Sequence, residues 1–268
     1  MMERIQSTLE KLEREIALVA YRDNGMPPLP PSQASDPVWK KLPQVRLDRK
    51  HTAQSRIVTI DRFDAASFRF DILRTKVLKV LRQNNWTSVA ITSPTPGCGK
   101  TVLAVNLAFS FANLKDCRTV LVDLDLRRPQ VGNVLGLEKK HSMERFLRGD
   151  SSIEESFTRC GENIAVGTNE YPASCAAELL QDPRTAPAIR SLKEKLKPDV
   201  MIFDLPPMLI NDDVLAFLPN VDCVILVAAA ETSTFSEVDA CERNLARESQ
   251  VLGVVLNKCR YSPERYGY

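Results

Sequence analysis

This 268-residue chain has almost no net charge: 36 Lys and Arg stand against 34 Asp and Glu. Neither sign is in enough excess to single out a charged partner, and no nucleic-acid partner is expected. The chain also lacks any run approaching the roughly 18 apolar residues that a membrane-spanning helix needs. Its opening, Met1-Met2-Glu3-Arg4, has no apolar core of the kind a secretory signal carries. The expectation is a cytoplasmic protein, held at the inner membrane only through a partner. No C-x-x-C pair occurs among the seven scattered cysteines (98, 117, 160, 175, 223, 241 and 259), which read as small buried or half-buried thiols in a reducing compartment.

What is present centres on Ser93-Pro94-Thr95-Pro96-Gly97-Cys98-Gly99-Lys100-Thr101. The apolar run Ser88-Val89-Ala90-Ile91 leads into it and a long apolar run from Val102 leaves it, which is the order strand, loop, helix. Such a loop can wrap backbone N–H groups of Pro96–Thr101 around a nucleotide's phosphates (Pro96 itself having none) at the positive end of the following helix. Lys100 would reach the β- and γ-phosphates and the Thr101 hydroxyl would ligate Mg²⁺. Pro94 stands where the strict pattern has glycine.

Around this loop the chain divides into four parts. Residues 1–23 read as an amphipathic helix with Ile5, Leu9, Leu12, Ile16 and Val19 on one seam, suited to a partner or to its own domain. Residues 24–60, with Pro27, Pro28, Pro30, Pro31, Pro37 and Pro43, read as a stiffened linker. Residues 61–258 read as the P-loop domain, opening with a helix whose apolar side is Phe68, Ile72, Val77, Leu78 and Leu81. Residues 259–268 read as a mobile tail that gathers Tyr261, Tyr266 and Tyr268, three of only five tyrosines.

Within 61–258, strands at 119–123, 163–167, 200–204, 223–227 and 251–256 alternate with helices at 102–114, 141–148, 175–181, 184–196 and 233–247. That alternation predicts an α/β fold, a doubly wound, mainly parallel sheet of the P-loop NTPase type. In such sheets ligands bind outside the carboxyl ends of the strands. The P-loop, Asp123, Asp125, Asp204 and Asn257 all fall at such ends. Asp204 reads as the acid that completes a Mg²⁺ site with Thr101, while Asp123 and Asp125 have the spacing to point toward one site.

These residues resemble the bacterial tyrosine kinase family of capsule and exopolysaccharide systems. The resemblance rests on the loop at 93–101, on Val120-Leu121-Val122-Asp123-Leu124-Asp125-Leu126-Arg127-Arg128-Pro129 and on Ile202-Phe203-Asp204-Leu205-Pro206-Pro207. It implies an ATP- and Mg²⁺-dependent autokinase in which Asp123 and Asp125 bind metal and help deprotonate the acceptor tyrosine. Arg127 becomes a phosphate or neighbour-subunit contact, and Tyr261, Tyr266 and Tyr268 become acceptors phosphorylated by another copy. The implied partners are further copies of the chain, a membrane polysaccharide co-polymerase as activator and a tyrosine phosphatase. Two positions depart from the family. Its helix pattern E-x-x-R-x-x-R, which supports ring assembly, is met only by Arg74, with Phe68 and Asp71 at the other two places. Leu205 replaces a small hydroxyl residue, for which altered tuning of the site is expected.

Partition and septum-positioning ATPases share the fold class, but their loop carries a lysine where this chain has Thr95. A GTPase reading fails at Asn257-Lys258, which Cys259-Arg260 follow with no Asp to read guanine; Asn257 could still meet adenine. A non-catalytic ATP-binding scaffold is the remaining alternative.

Overall fold

The computed structural model describes residues 37–259 apart from 62, 63, 65, 139, 140 and 174. Seven strands, β1 (Ser88–Ser93), β2 (Thr119–Asp123), β3 (Phe157–Arg159), β4 (Ile164–Gly167), β5 (Val200–Pro207), β6 (Cys223–Ala229) and β7 (Gln250–Asn257), form one sheet. Their order is β3-β4-β2-β5-β1-β6-β7. All pairings are parallel except the short β3 against β4. The expected doubly wound sheet is therefore present.

Period-two alternation along buried strands builds two apolar layers, one on each face. Val122, Phe203 and Leu226 enter one layer; Leu121, Ile202 and Ile225 enter the other, with the P-loop helix Lys100–Ala112. The arrangement brings the carboxyl ends of β2, β5 and β1 side by side, and the pairing sets Asp123 directly against Asp204. Like charges opposed on neighbouring strands are unfavourable by themselves.

Two expectations are corrected. Residues 37–60, read as linker, are a packed arm. Its short helices Pro37–Lys41 and Arg49–Gln54 flank an extended stretch in which Gln44 bridges Arg159 on β3. Trp39 and Leu42 sink into one apolar layer and Ile57 into the other, so the arm covers a sheet edge that would otherwise be open to pairing. The Trp39 indole N–H donates to the Glu162 carbonyl at 3.0 Å, and the Arg118 guanidinium lies 5.1 Å from the ring centroid. Proline content misled here because Pro at a helix start is compatible with order.

The helix Ser67–Asn84 forms, but its apolar seam is shifted. Phe68 and Ile72 are exposed, while Phe70, Leu73, Val77 and Leu81 face the core. Arg74 and Asp71, two positions of the ring pattern, are bonded to each other at 2.7 Å and both reach Ser110 on the P-loop helix. The proposed helix at 1–23 and the tyrosine tail from 260 lie outside the described residues.

Because Trp39 is a core residue, Trp39→Ala is expected to lower stability by about 3–5 kcal/mol in urea denaturation. A loss below about 1 kcal/mol would mean that the arm does not belong to the core.

Candidate active site

The loop between β1 and the P-loop helix owes its shape to two glycines in the left-handed region, Gly97 at φ +81° and Gly99 at φ +88°. Its first half is fastened to the end of β5. The Met208 N–H donates to the Ser93 carbonyl at 2.8 Å, the Leu209 N–H to the Pro94 carbonyl at 3.1 Å and the Thr92 hydroxyl to the Pro206 carbonyl at 2.7 Å. Pro94 is buried and contributes only its carbonyl, so a residue without an N–H fits this position. The Cys98 thiol points inward, donating to the Thr95 carbonyl.

Beneath the loop lies a largely buried cluster. Lys100 Nζ donates to Asp125 Oδ2 at 2.7 Å and stands 3.5 Å from Asp204 Oδ1. The Thr101 hydroxyl donates to Asp204 Oδ2 at 2.6 Å. Asp123 Oδ2 accepts from the Val131 N–H at 2.9 Å, and Asp125 Oδ1 accepts from the Arg128 N–H at 3.1 Å. Three carboxylates thus share one ammonium. Burial first, then the charge of Asp204, pushes Asp123 well above the ordinary carboxylate range. Burial also raises Asp204, against the pull of Lys100 and Thr101. For Lys100 burial works downward, but the charges of Asp204 and Asp125 outweigh it and hold the ammonium above its usual value.

The residues fit a divalent cation. Asp204 Oδ1 is buried and accepts no hydrogen bond; Lys100 Nζ, 3.5 Å away, is an ion-pair neighbour that leaves room for a closer cation beside the Thr101 hydroxyl. An orphaned buried acceptor is costly unless something positive meets it. Mg²⁺ needs only one or two carboxylates when waters and substrate phosphates supply the rest. Among the described residues no three His, Cys, Asp or Glu side chains surround one metal position, so Thr101, Asp123, Asp125 and Asp204 do not form a single cage. Thr101 and Asp204 are the pair brought together.

A cavity of about 700 Å³ opens onto this cluster, lined by Pro96, Gly97, Gly99, Lys100, Thr101 and Asp125 and by Pro206, Pro207, Ile210 and Asn211. Asn211 Oδ1, on its wall, is a second buried acceptor without a donor. Asp123 is fully buried behind it, leaving Asp125 as the acid that reaches the cavity. Arg127 lines the cavity but its guanidinium makes a two-point pair with buried Asp213, at 2.7 and 2.9 Å. Asn257 has a bracing place: its Nδ2 donates to the Cys98 carbonyl at 2.9 Å and its Oδ1 accepts from the Lys258 N–H at 2.8 Å. One N–H of the amide is thus used to hold the loop from the end of β7. Leu205 is buried in the apolar layer that holds Phe203, and it meets that position by packing.

A family model described as the CobQ/CobB/MinD/ParA nucleotide binding domain matches residues 89–265. The tyrosine-protein kinase YwqD of Bacillus subtilis (strain 168) is 30% identical over 211 residues, covering 75% of this chain and 85% of its own. The tyrosine-protein kinase CpsD of Streptococcus pneumoniae serotype 4 is 30% identical over 182 residues, 67% of this chain and 79% of CpsD. The chain belongs to the bacterial tyrosine-protein kinase family. The kinase domain of Escherichia coli tyrosine kinase ETK superposes with a TM-score of 0.69 at 26% identity, over 79% of this chain and 84% of that domain. The septum site-determining protein MinD of Pyrococcus horikoshii OT3, complexed with Mg-ADP, matches with a TM-score of 0.55 at 24% identity, over 66% of this chain and 72% of MinD, which is a likeness of fold alone. Against EpsB of Ralstonia nicotianae, 30% identical over 201 residues (73% of this chain), the chain spans only 26% of the relative's length.

Within this kinase-family site, local sequence signals do not reveal Asn211, the bracing use of Asn257, or the contribution of Gln54, Ser55 and Arg56 from the arm to the cavity wall. Each joins segments far apart in the chain. The brace makes a testable pair: a Cβ built on Gly99, at a positive φ, would clash with Asn257 Nδ2. Gly99→Ala and Asn257→Ala are each expected to lower the thermal midpoint, and the double variant to lose less than the sum because the clash is gone. Strict additivity would show that Asn257 does not press on Gly99.

Proposed function

We propose that the chain is an ATP- and Mg²⁺-dependent protein-tyrosine autokinase that phosphorylates the C-terminal tyrosines Tyr261, Tyr266 and Tyr268 of another copy. The observation that carries the reading is the buried set Lys100, Thr101, Asp125 and Asp204 under a glycine-shaped loop, in a chain of this family. The Mg-ADP of the MinD complex and the kinase names of the relatives support the nucleotide and the reaction class.

In this reading the loop's N–H groups and Lys100 bind the triphosphate, and Thr101 and Asp204 would hold the metal. Mg²⁺ supplies charge neutralisation of the phosphates when bound. The acceptor phenol oxygen forms a bond to the γ-phosphorus while the bond from that phosphorus to the ADP oxygen breaks. The phenolic proton passes to Asp125, the acid that faces the cavity. Lys100 now lies on Asp125 at 2.7 Å; incoming phosphate would draw the ammonium away and leave Asp125 able to accept a proton. Positioning and electrostatics of this kind suffice for phosphoryl transfer, which asks little covalent chemistry of the protein.

The capsule and exopolysaccharide setting of the family makes regulation of polymer assembly and export the biological output. Among the described residues no helix is long and apolar enough to cross a membrane. Recruitment to the inner membrane by a co-polymerase activator, reversal by a tyrosine phosphatase and docking through residues 1–23 complete the proposal.

Intact-mass spectrometry of the full chain with Mg-ATP, with the activator's cytoplasmic segment where identified, tests it. Phosphate is expected on Tyr261, Tyr266 or Tyr268, absent from Lys100→Met and from a variant lacking residues 260–268. ATP hydrolysis without tail phosphate would favour the nucleotide-gated switch shared with partition and septum-positioning ATPases; binding without hydrolysis would favour a scaffold.

A further inference from the structure

One wall of the nucleotide cavity comes from the arm: Gln54, Ser55 and Arg56 line it together with Gly99, Lys100, Thr101 and Val102. The arm helix Arg49–Gln54 stops in a two-bond turn. The Arg56 N–H donates to the Ala53 carbonyl and the Ile57 N–H to the Thr52 carbonyl, both at 2.9 Å, while the Ile57 side chain is buried. The residue at this turn must be left-handed, and Arg56 has φ +61°. Glycine is the low-cost residue for that conformation. The chain instead places its longest cation there.

The Asn106 side chain ties that backbone to the P-loop helix. Asn106 Nδ2 donates to the Arg56 carbonyl at 3.0 Å and to the Val102 carbonyl at 2.8 Å, while its Oδ1 accepts from the N–H groups of Val58 and Thr59. Arg56 is therefore held in register with the first turn that would carry the phosphates. Its side chain is exposed and makes no hydrogen bond or ion pair with any described residue. Of the other cations at the cavity, Lys100 rests on Asp125 and must leave it to meet phosphate, and Arg127 is held by Asp213. Arg128 and Lys258 also line it, but neither is tied to the P-loop helix by such a clamp. A polyphosphate entering beside three carboxylates meets repulsion that one lysine only partly offsets. A guanidinium, with five donors in a planar fork, matches phosphate oxygens.

We propose that Arg56 is a second phosphate-binding cation, delivered in cis by the arm, that grips the nucleotide's phosphate chain together with Lys100. The inference rests on the nucleotide-site reading above. It makes the arm part of the site, so that whatever moves residues 37–60 changes nucleotide affinity.

Arg56→Gly tests this cleanly, because glycine keeps the left-handed turn and removes only the cation. Titration of the full chain with fluorescent N-methylanthraniloyl ATP and Mg²⁺ is expected to show affinity about tenfold weaker, the size of a lost charge-assisted bond. The thermal midpoint should not fall, and Arg56→Lys should recover part of the affinity. Binding of Arg56→Gly within twofold of the parent overturns the proposal, as does a lowered midpoint with unchanged affinity, which would make Arg56 a structural residue. Failure of the parent chain itself to bind would overturn the nucleotide-site reading, and this proposal with it.

Discussion

Three buried carboxylates sharing one ammonium is the constraint on which the rest of this structure depends. Asp123 faces Asp204 across neighbouring strands, Asp125 follows one turn of loop later, and among the described residues Lys100 is the side-chain cation paired with the cluster. Left unmet, such a group is unfavourable by burial and by like-charge repulsion together. The protein holds it by over-determination. Two apolar layers clamp the strands, the loop is fastened to β5 on one side and to Asn257 of β7 on the other, and Val131 and Arg128 offer backbone N–H groups to the acids. Lys100 and the orphaned Asp204 oxygen then describe the same unsatisfied need from two directions. The first is a cation resting on a carboxylate, and the second a buried carboxylate oxygen that has an ammonium only at 3.5 Å and accepts no hydrogen bond.

Much of this was legible in the chain because it is local. The P-loop, Asp123, Asp125 and Asp204 are announced by short segments in which an apolar strand ends abruptly in the chemistry. The buried parallel strands also lack alternation, which identifies them. Strand ends at 123 and 257 and the helix stops at Asn85 and Gly149, both left-handed, follow from turn chemistry a reader can apply to sequence, whereas β5 runs past the expected end at Asp204 to Pro207.

What escaped reading is what depends on distant pairing. The antiparallel edge strand β3, three residues long, has too little sequence to show a period. The arm looked like linker because prolines were counted and the burial of Trp39, Leu42 and Ile57 could not be. Phe68 and Ile72 fit a helical stripe as well as Phe70 and Leu73 do, and only packing against the P-loop helix decides between them. Asn106, an unremarkable residue inside an apolar helix, turns out to join the arm to the P-loop helix through both ends of its amide. Asn257 likewise braces the loop through its side-chain amide. In each case the residue type was visible and its partner was not.

The central claim is that the cluster under the loop is completed by a divalent cation carried with a nucleotide. Calorimetric titration of ADP into the full chain, in Mg²⁺ and in EDTA, for the parent and for Asp204→Asn, tests it most directly. The account predicts that Mg²⁺ tightens ADP binding to the parent by at least about tenfold, roughly 1.4 kcal/mol, and that Asp204→Asn loses most of that dependence while remaining folded. Equal affinity with and without Mg²⁺ in the parent, or an undiminished Mg²⁺ effect in Asp204→Asn, would contradict it.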